Sequence, residues 1–255
     1  MSELGVYLYA VASAAAPPSL DEVAGIDGKE VYAVTQGPLS AAVGPVRLDE
    51  FDEEPLRKNL EDLTWLTRVA RAHDDVIRQL ARTANIAPAR LATIFLDDEA
   101  VRRRLDADHE ELTAALARIQ DRREWSIKVY SSSDEMPREE SPAQTGEETG
   151  TAYLRRRSRE RLHDENRARS DAAAAEELHT AVRGQVCASR RLRPQDRRLS
   201  GHVGEMLLNS AYLVDQARED EFRGAVARIA AEHPEVRVEL NGPWPPYSFA
   251  TLEGS

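Results

Sequence analysis

The chain has 255 residues, enough for one large domain or two small ones with a buried core in each. Its 45 acidic residues outweigh 34 basic ones, and the net charge of −11 sets it against nucleic acid and anionic membrane surfaces as partners. A single cysteine, Cys187, excludes an internal disulfide framework and fits a reducing compartment.

Residues 4–12, rich in Val, Leu and Tyr, predict a first strand. The apolar start is not read as a secretory leader, because no Lys or Arg precedes it and Glu3 has the wrong sign. No apolar run approaches the ~20 residues that span a bilayer, so a cytoplasmic location is expected. After the Pro17-Pro18 loop, residues 30–35 and 39–43 form two short strands. They join across Gln36-Gly37-Pro38, where glycine accepts the positive φ of a tight turn. Residues 49–84 then turn helical, with Leu56, Leu60, Leu63, Leu66, Val69, His73, Ile77 and Leu80 at three- and four-residue steps. Pro88 punctuates the next loop. A second helix is expected over 98–121, and a half-buried strand follows in which Trp125, Ile127 and Val129 alternate with polar residues.

Residues 131–150 contain almost nothing apolar and are read as an acidic flexible linker. The domain organisation expected is therefore residues 1–130, an N-terminal α+β domain, the linker 131–150, and residues 151–255, a C-terminal α+β domain. The second domain opens with a long charged helix over 151–192, with Gly184 as its weak point and Cys187 half-buried inside it. The arginine run from Arg155 to Arg161 opens a stretch in which Glu160, Asp164, Glu165 and Asp171 lie three or four residues from arginines, the spacing of a salt-laced solvated face rather than a nucleic-acid surface. A strand over 206–214, a helix over 220–231 and an alternating strand over 236–240 complete the body.

Little in the chain points to chemistry. His73-Asp74-Asp75 and His163-Asp164-Glu165 are the best acid–base candidates. Adjacent residues on a helix point about 100° apart, so neither triplet converges on one point. His73 lies on an apolar stripe, where a satisfied core histidine is expected. No metal-ligand spacing and no phosphate-cradling glycine loop is present, so no cofactor and no metal is expected. A hydrolase using His73 or His202 is the enzymatic alternative, and a generic cytosolic interaction scaffold built on the long helix is another.

The tail is the most distinctive segment. Three prolines in four positions interleave with Trp244, Tyr247 and Phe249 in a chain only 5% aromatic. Each proline fixes its own φ and pushes its predecessor toward extended geometry, predicting a stiff strip that continues neither a helix nor a central strand. Its aromatics act either as a clasp over this protein's own second domain or as a partner-binding ridge.

The run Gly242-Pro243-Trp244-Pro245-Pro246-Tyr247-Ser248-Phe249 resembles the ending of the gas vesicle protein F/L family. Further likenesses follow in order: Val6-Tyr7-Leu8-Tyr9-Ala10-Val11, Ala72-His73-Asp74-Asp75-Val76-Ile77, and Ala87-Pro88-Ala89-Arg90-Leu91-Ala92-Thr93-Ile94-Phe95. Glu124-Trp125-Ser126-Ile127-Lys128-Val129, Gly150-Thr151-Ala152-Tyr153-Leu154 and Leu208-Asn209-Ser210-Ala211-Tyr212-Leu213-Val214 complete the set. One departure is Leu91-Ala92, where the family pattern has Phe-Gly. The resemblance implies an α+β fold of two small sheet-plus-helix domains, variations on the ferredoxin-like theme. It also implies a non-enzymatic accessory or minor structural protein of the gas vesicle. Its partners would be the small, very hydrophobic shell protein A, whose nucleation and assembly it would assist and whose aggregation it would limit, and other gas vesicle accessory proteins.

Overall fold

The computed structural model describes residues 3–132, 150–193 and 204–250. Its contacts divide the chain into two units, residues 1–124 together with 243–255, and residues 125–242. The fold is α+β, two sheets each covered by helices. The tail from Pro243 onward belongs with the first unit, not with the second as its sequence position suggested. Most of the expected linker, residues 133–149, lies outside the described residues.

In the first unit β1 (Leu4–Ser13) is the central strand. It pairs antiparallel with β3 (Leu39–Arg47), and β2 (Tyr32–Gln36) pairs with β3 across a two-residue turn at Gly37, whose φ is +55°. Two short strands that the sequence left as loop, β4 (Ile86–Pro88) and β5 (Ile94–Phe95), pair antiparallel with β1. A register shift between Leu8 and Ala10 changes which residues face which side. Tyr7, Tyr9, Ala10 and Ala12 enter one core, and Val6, Leu8 and Val11 the other. Because both faces are covered, the strand reads as one apolar run.

The helix expected over 49–84 is three helices, α1 (Leu48–Phe51), α2 (Glu53–Asn59) and α3 (Leu63–Leu80). The breaks fall at Asp52 and Asp62, whose carboxylates accept backbone N–H groups of the helix that follows. The second expected helix likewise divides at Asp108 into α4 (Asp98–Ala107) and α5 (His109–Ile119). Helix α3 buries Trp65, Val69, His73, Val76, Ile77 and Leu80 in the first core, while Val101, Leu105, Leu112, Leu116 and Ile119 of α4 and α5 fill the second.

The second unit is built from β6 (Arg122–Ser131), α6 (Gly150–Arg183), β7 (Ala188–Arg191), β8 (Met206–Asp215), α7 (Glu219–Glu232) and β9 (Val236–Trp244). This β-α-β-β-α-β succession with sheet order β7-β8-β6-β9 is ferredoxin-like. The first unit has the same order, β2-β3-β1-β4. Helix α6 ends at Arg183, directly before Gly184, rather than at 192. The residues after it form β7 on β8, and Cys187 is exposed rather than half-buried in a helix. Strand β9 runs on through Pro243, which an edge strand tolerates because its outer N–H positions need no partner. A single helical turn, α8 (Tyr247–Ala250), ends the described chain.

Candidate functional site

The tail lies against α3 and the ends of the first unit's sheet. Pro246 and Ala250 are buried, and Tyr247 and Phe249 are half-buried, one packed on each core. The Tyr247 ring sits 6.3 Å from the His73 ring, and its hydroxyl donates to Asp74. Burial, then the Asp74 charge, push the Tyr247 phenol up from its ordinary value. Ser248 makes the polar anchor: its backbone N–H and Oγ–H donate to the two oxygens of Glu124, at 2.7 and 2.6 Å. Trp244 is different. It remains 39% exposed, with the Arg78 guanidinium 5.3 Å from its ring, and Arg78 is held by Asp74 at 2.6 Å. The three aromatics expected to act together therefore do two jobs, with Tyr247 and Phe249 packed and Trp244 lying across the outer face of α3.

Beneath the tail, His73 is 4% exposed. Its Nδ1 lies 3.0 Å from the Tyr7 hydroxyl, which accepts in turn from the Ala92 N–H at 2.9 Å. A phenol that accepts from a backbone amide has its own proton to give, so His73 Nδ1 is the acceptor and the imidazole is neutral. Burial pulls the His73 pKa down to about 4, against the smaller opposing effect of the Ala89 carbonyl. Burial also pushes Tyr7 and Tyr9 up. Ala92 adopts φ +61° at the position where the resemblance expects glycine. The turn that carries the amide to Tyr7 is therefore kept, at a steric cost to an L side chain.

A cavity of about 270 Å³ opens on the other face of the same sheet, lined by Leu8, Val11, Ala87, Phe95, Leu105 and Leu112, with Ala250 of the tail at one side. Exposed Arg90 and Arg104 stand at its margin, and Arg104 Nε pairs with Asp108 at 2.5 Å. Such a space takes apolar groups and offers charge only at the rim.

The acid–base candidates do not assemble. His73 meets a phenol, His163, Asp164 and Glu165 are exposed on α6, and His202 lies outside the described residues. Among the described residues no group of three or more His, Cys, Asp or Glu side chains could hold a metal, and no helix is long and apolar enough to cross a membrane. Sequence reasoning missed Glu124, Asp74, Arg78 and Tyr7 as the tail's supports. None of them carried a local signal: Glu124, for one, falls in phase with the polar positions Ser126 and Lys128 of its strand.

Comparison with known proteins gives a consistent set of matches. The family model described as "Gas vesicle synthesis protein GvpL/GvpF" matches residues 5–251. The chain is 45% identical over 231 residues to "Gas vesicle protein L" of Streptomyces sp. (strain CB03234), covering 89% of this chain and 86% of that protein. It is 26% identical over 250 residues to "Gas vesicle protein F" of the same strain, covering 96% and 99%. The fold is similar to the crystal structure of GvpF from Anabaena sp. PCC7120, with TM-score 0.69 at 17% identity and 98% of each chain covered. GvpF from Microcystis aeruginosa gives TM-score 0.64 at 19% identity, covering 97% and 99%.

Proposed function

The chain belongs to the GvpL/GvpF family of gas vesicle proteins, and from that premise we propose that it is a non-enzymatic accessory or minor structural protein that binds the hydrophobic shell protein A. It would act in the cytoplasm and at the growing vesicle, holding shell protein apart from itself until it is incorporated. The observation that carries this reading is the apolar cavity in a charged, acidic body. A protein that handles a very hydrophobic subunit needs an apolar receptor for it and a polar exterior that keeps the pair in solution. A cavity of this size accommodates one or two aliphatic or aromatic side chains, each worth about 1.5–3 kcal/mol on full burial. The higher identity to the L relative than to the F relative of the same strain supports an L-type place in assembly.

The test is a pull-down of shell protein A from the same genome, with light scattering to follow its aggregation. Wild-type protein should retain shell protein at physiological salt and delay scattering, and Thr93→Trp, placed to fill the cavity mouth, should do neither well while melting normally. Absence of binding by the wild type, together with normal vesicles in a deletion strain, would sink the proposal.

A further inference from the structure

Helix α6 is about 51 Å long at 1.5 Å per residue, yet among its described side chains, from Arg155 on, only those of its second half are packed. Asp171, Ala174, Ala175, Leu178, His179 and Val182 are buried. Before them, residues 155–170 are exposed around nearly the whole circumference, Arg167 alone being half-buried. This stretch carries seven arginines against three carboxylates, whereas the chain as a whole carries −11, which leaves −15 on everything else.

The charges are not mixed evenly around the helix. At 100° per residue, Arg155, Arg159, Leu162, Asn166 and Arg169 fall within about 40° of one line. That line lies opposite the face on which Leu178 and Val182 pack. The three carboxylates, Glu160, Asp164 and Glu165, lie off it, and Glu160 and Glu165 are taken by Arg156 and Arg161 on the flanks. The stripe is thus basic, free of acid, and centred on Leu162, which is 55% exposed. A helix that is polar all round holds its shape through its own ion pairs or by bridging to something else.

We infer that this stripe is a docking surface for the acidic body of a second copy of this chain. Stripe-to-stripe pairing would set arginine against arginine, so the contact cannot be the same patch on both partners. It sets basic helix on acidic body, either reciprocally, closing a two-fold dimer, or head to tail, generating rings or open filaments. Apolar complement is available on that body: Leu60 and Leu63 stand 43% and 76% exposed beside the exposed carboxylates Glu53, Glu54, Glu61 and Asp62, which outnumber the exposed Arg57 and Lys58 of the same segment.

Sedimentation velocity on the full-length protein tests this, over protein concentrations up to about 100 µM in about 20 mM and about 500 mM NaCl, which bracket strong and weak screening. At low salt the weight-average mass should rise with concentration to at least about twice the monomer, and high salt should return it to the monomer. The triple variant R155E/R159E/R169E should remain monomeric throughout, and R155K/R159K/R169K should associate as the wild type does. All six substitutions are on exposed positions, and Leu162→Glu gives a single-site check with the same expected loss. A wild type that stays monomeric at low salt would overturn the inference, as would a charge-reversed variant that associates normally. So would a wild type that ignores its own copies but retains a short DNA duplex, which would make the stripe a polyanion site instead.

Discussion

His73 ties the stability of the first unit to pH in a calculable way. Its folded pKa is about 4, chiefly through burial, against an ordinary 6.5. The folded state therefore resists protonation that the unfolded chain accepts, so stability is full above pH 6.5 and falls as pH drops toward 4. At about 1.4 kcal/mol per pH unit, the loss attributable to this one group is about 2 kcal/mol at pH 5 and about 3 kcal/mol once pH reaches 4 and below. The groups around the ring leave the effect uncancelled. Tyr7, Tyr9 and Tyr247 all have pKa values raised by burial and stay neutral throughout this range. Asp74 is turned toward Arg78. Urea unfolding of the wild type and of His73→Gln, whose amide oxygen can still accept from Tyr7, at pH 7.5 and 5.0 isolates the term. Surface carboxylates contribute alike to both proteins, so the wild type should lose about 2 kcal/mol more than the variant between the two pH values. Parallel profiles would refute the reasoning, showing that His73 is not held neutral.

Tyr247→Ala should destabilise the first unit by about 2–3 kcal/mol by thermal or urea melting, because it removes a ring packed against His73. Trp244→Ala should cost only about 0.5–1 kcal/mol, the worth of a half-exposed cation–π contact, and comparing both variants in shell-protein binding separates clasp from recognition ridge. Ala92→Gly should stabilise by about 0.5–1 kcal/mol in the same assay, since relief of the left-handed strain exceeds the extra freedom glycine gives the unfolded chain. Ser248→Ala should cost about 1 kcal/mol and hasten carboxypeptidase release of the tail, because Glu124 loses a charge-assisted donor.

The sequence was most legible where a period repeated. The α3 stripe and the alternation of Trp125, Ile127 and Val129 follow directly from which side of an element meets a core. Helix interruptions were harder, because the apolar spacing carries on across Asp62 and Asp108 while the backbone stops. The capping preference of Asp62 was the available signal. Strand β7 was invisible, since Ala-Ser-Arg-Arg has no apolar alternation and is held by backbone pairing to β8. The tail's aromatics stood out at once, but what they rest on did not. Its partners Asp74 and Glu124 are about 173 and 124 positions away, and no local pattern announces a contact at that separation.

The first unit is closed by the last part of the chain, and this has a consequence for biogenesis. Translation at roughly 5–20 residues per second leaves Glu124 waiting on the order of 6–25 seconds after its own synthesis before Ser248 exists, and β1 and α3 longer still. During that interval His73 lacks the ring that covers it, and the carboxylate at Glu124 has no serine to hold. The entire second unit emerges in the meantime. Order of synthesis and order of completion are thus reversed: the unit made first is finished last. A chain stalled or cleaved late in translation would carry its second unit and a first unit without the tail that covers His73.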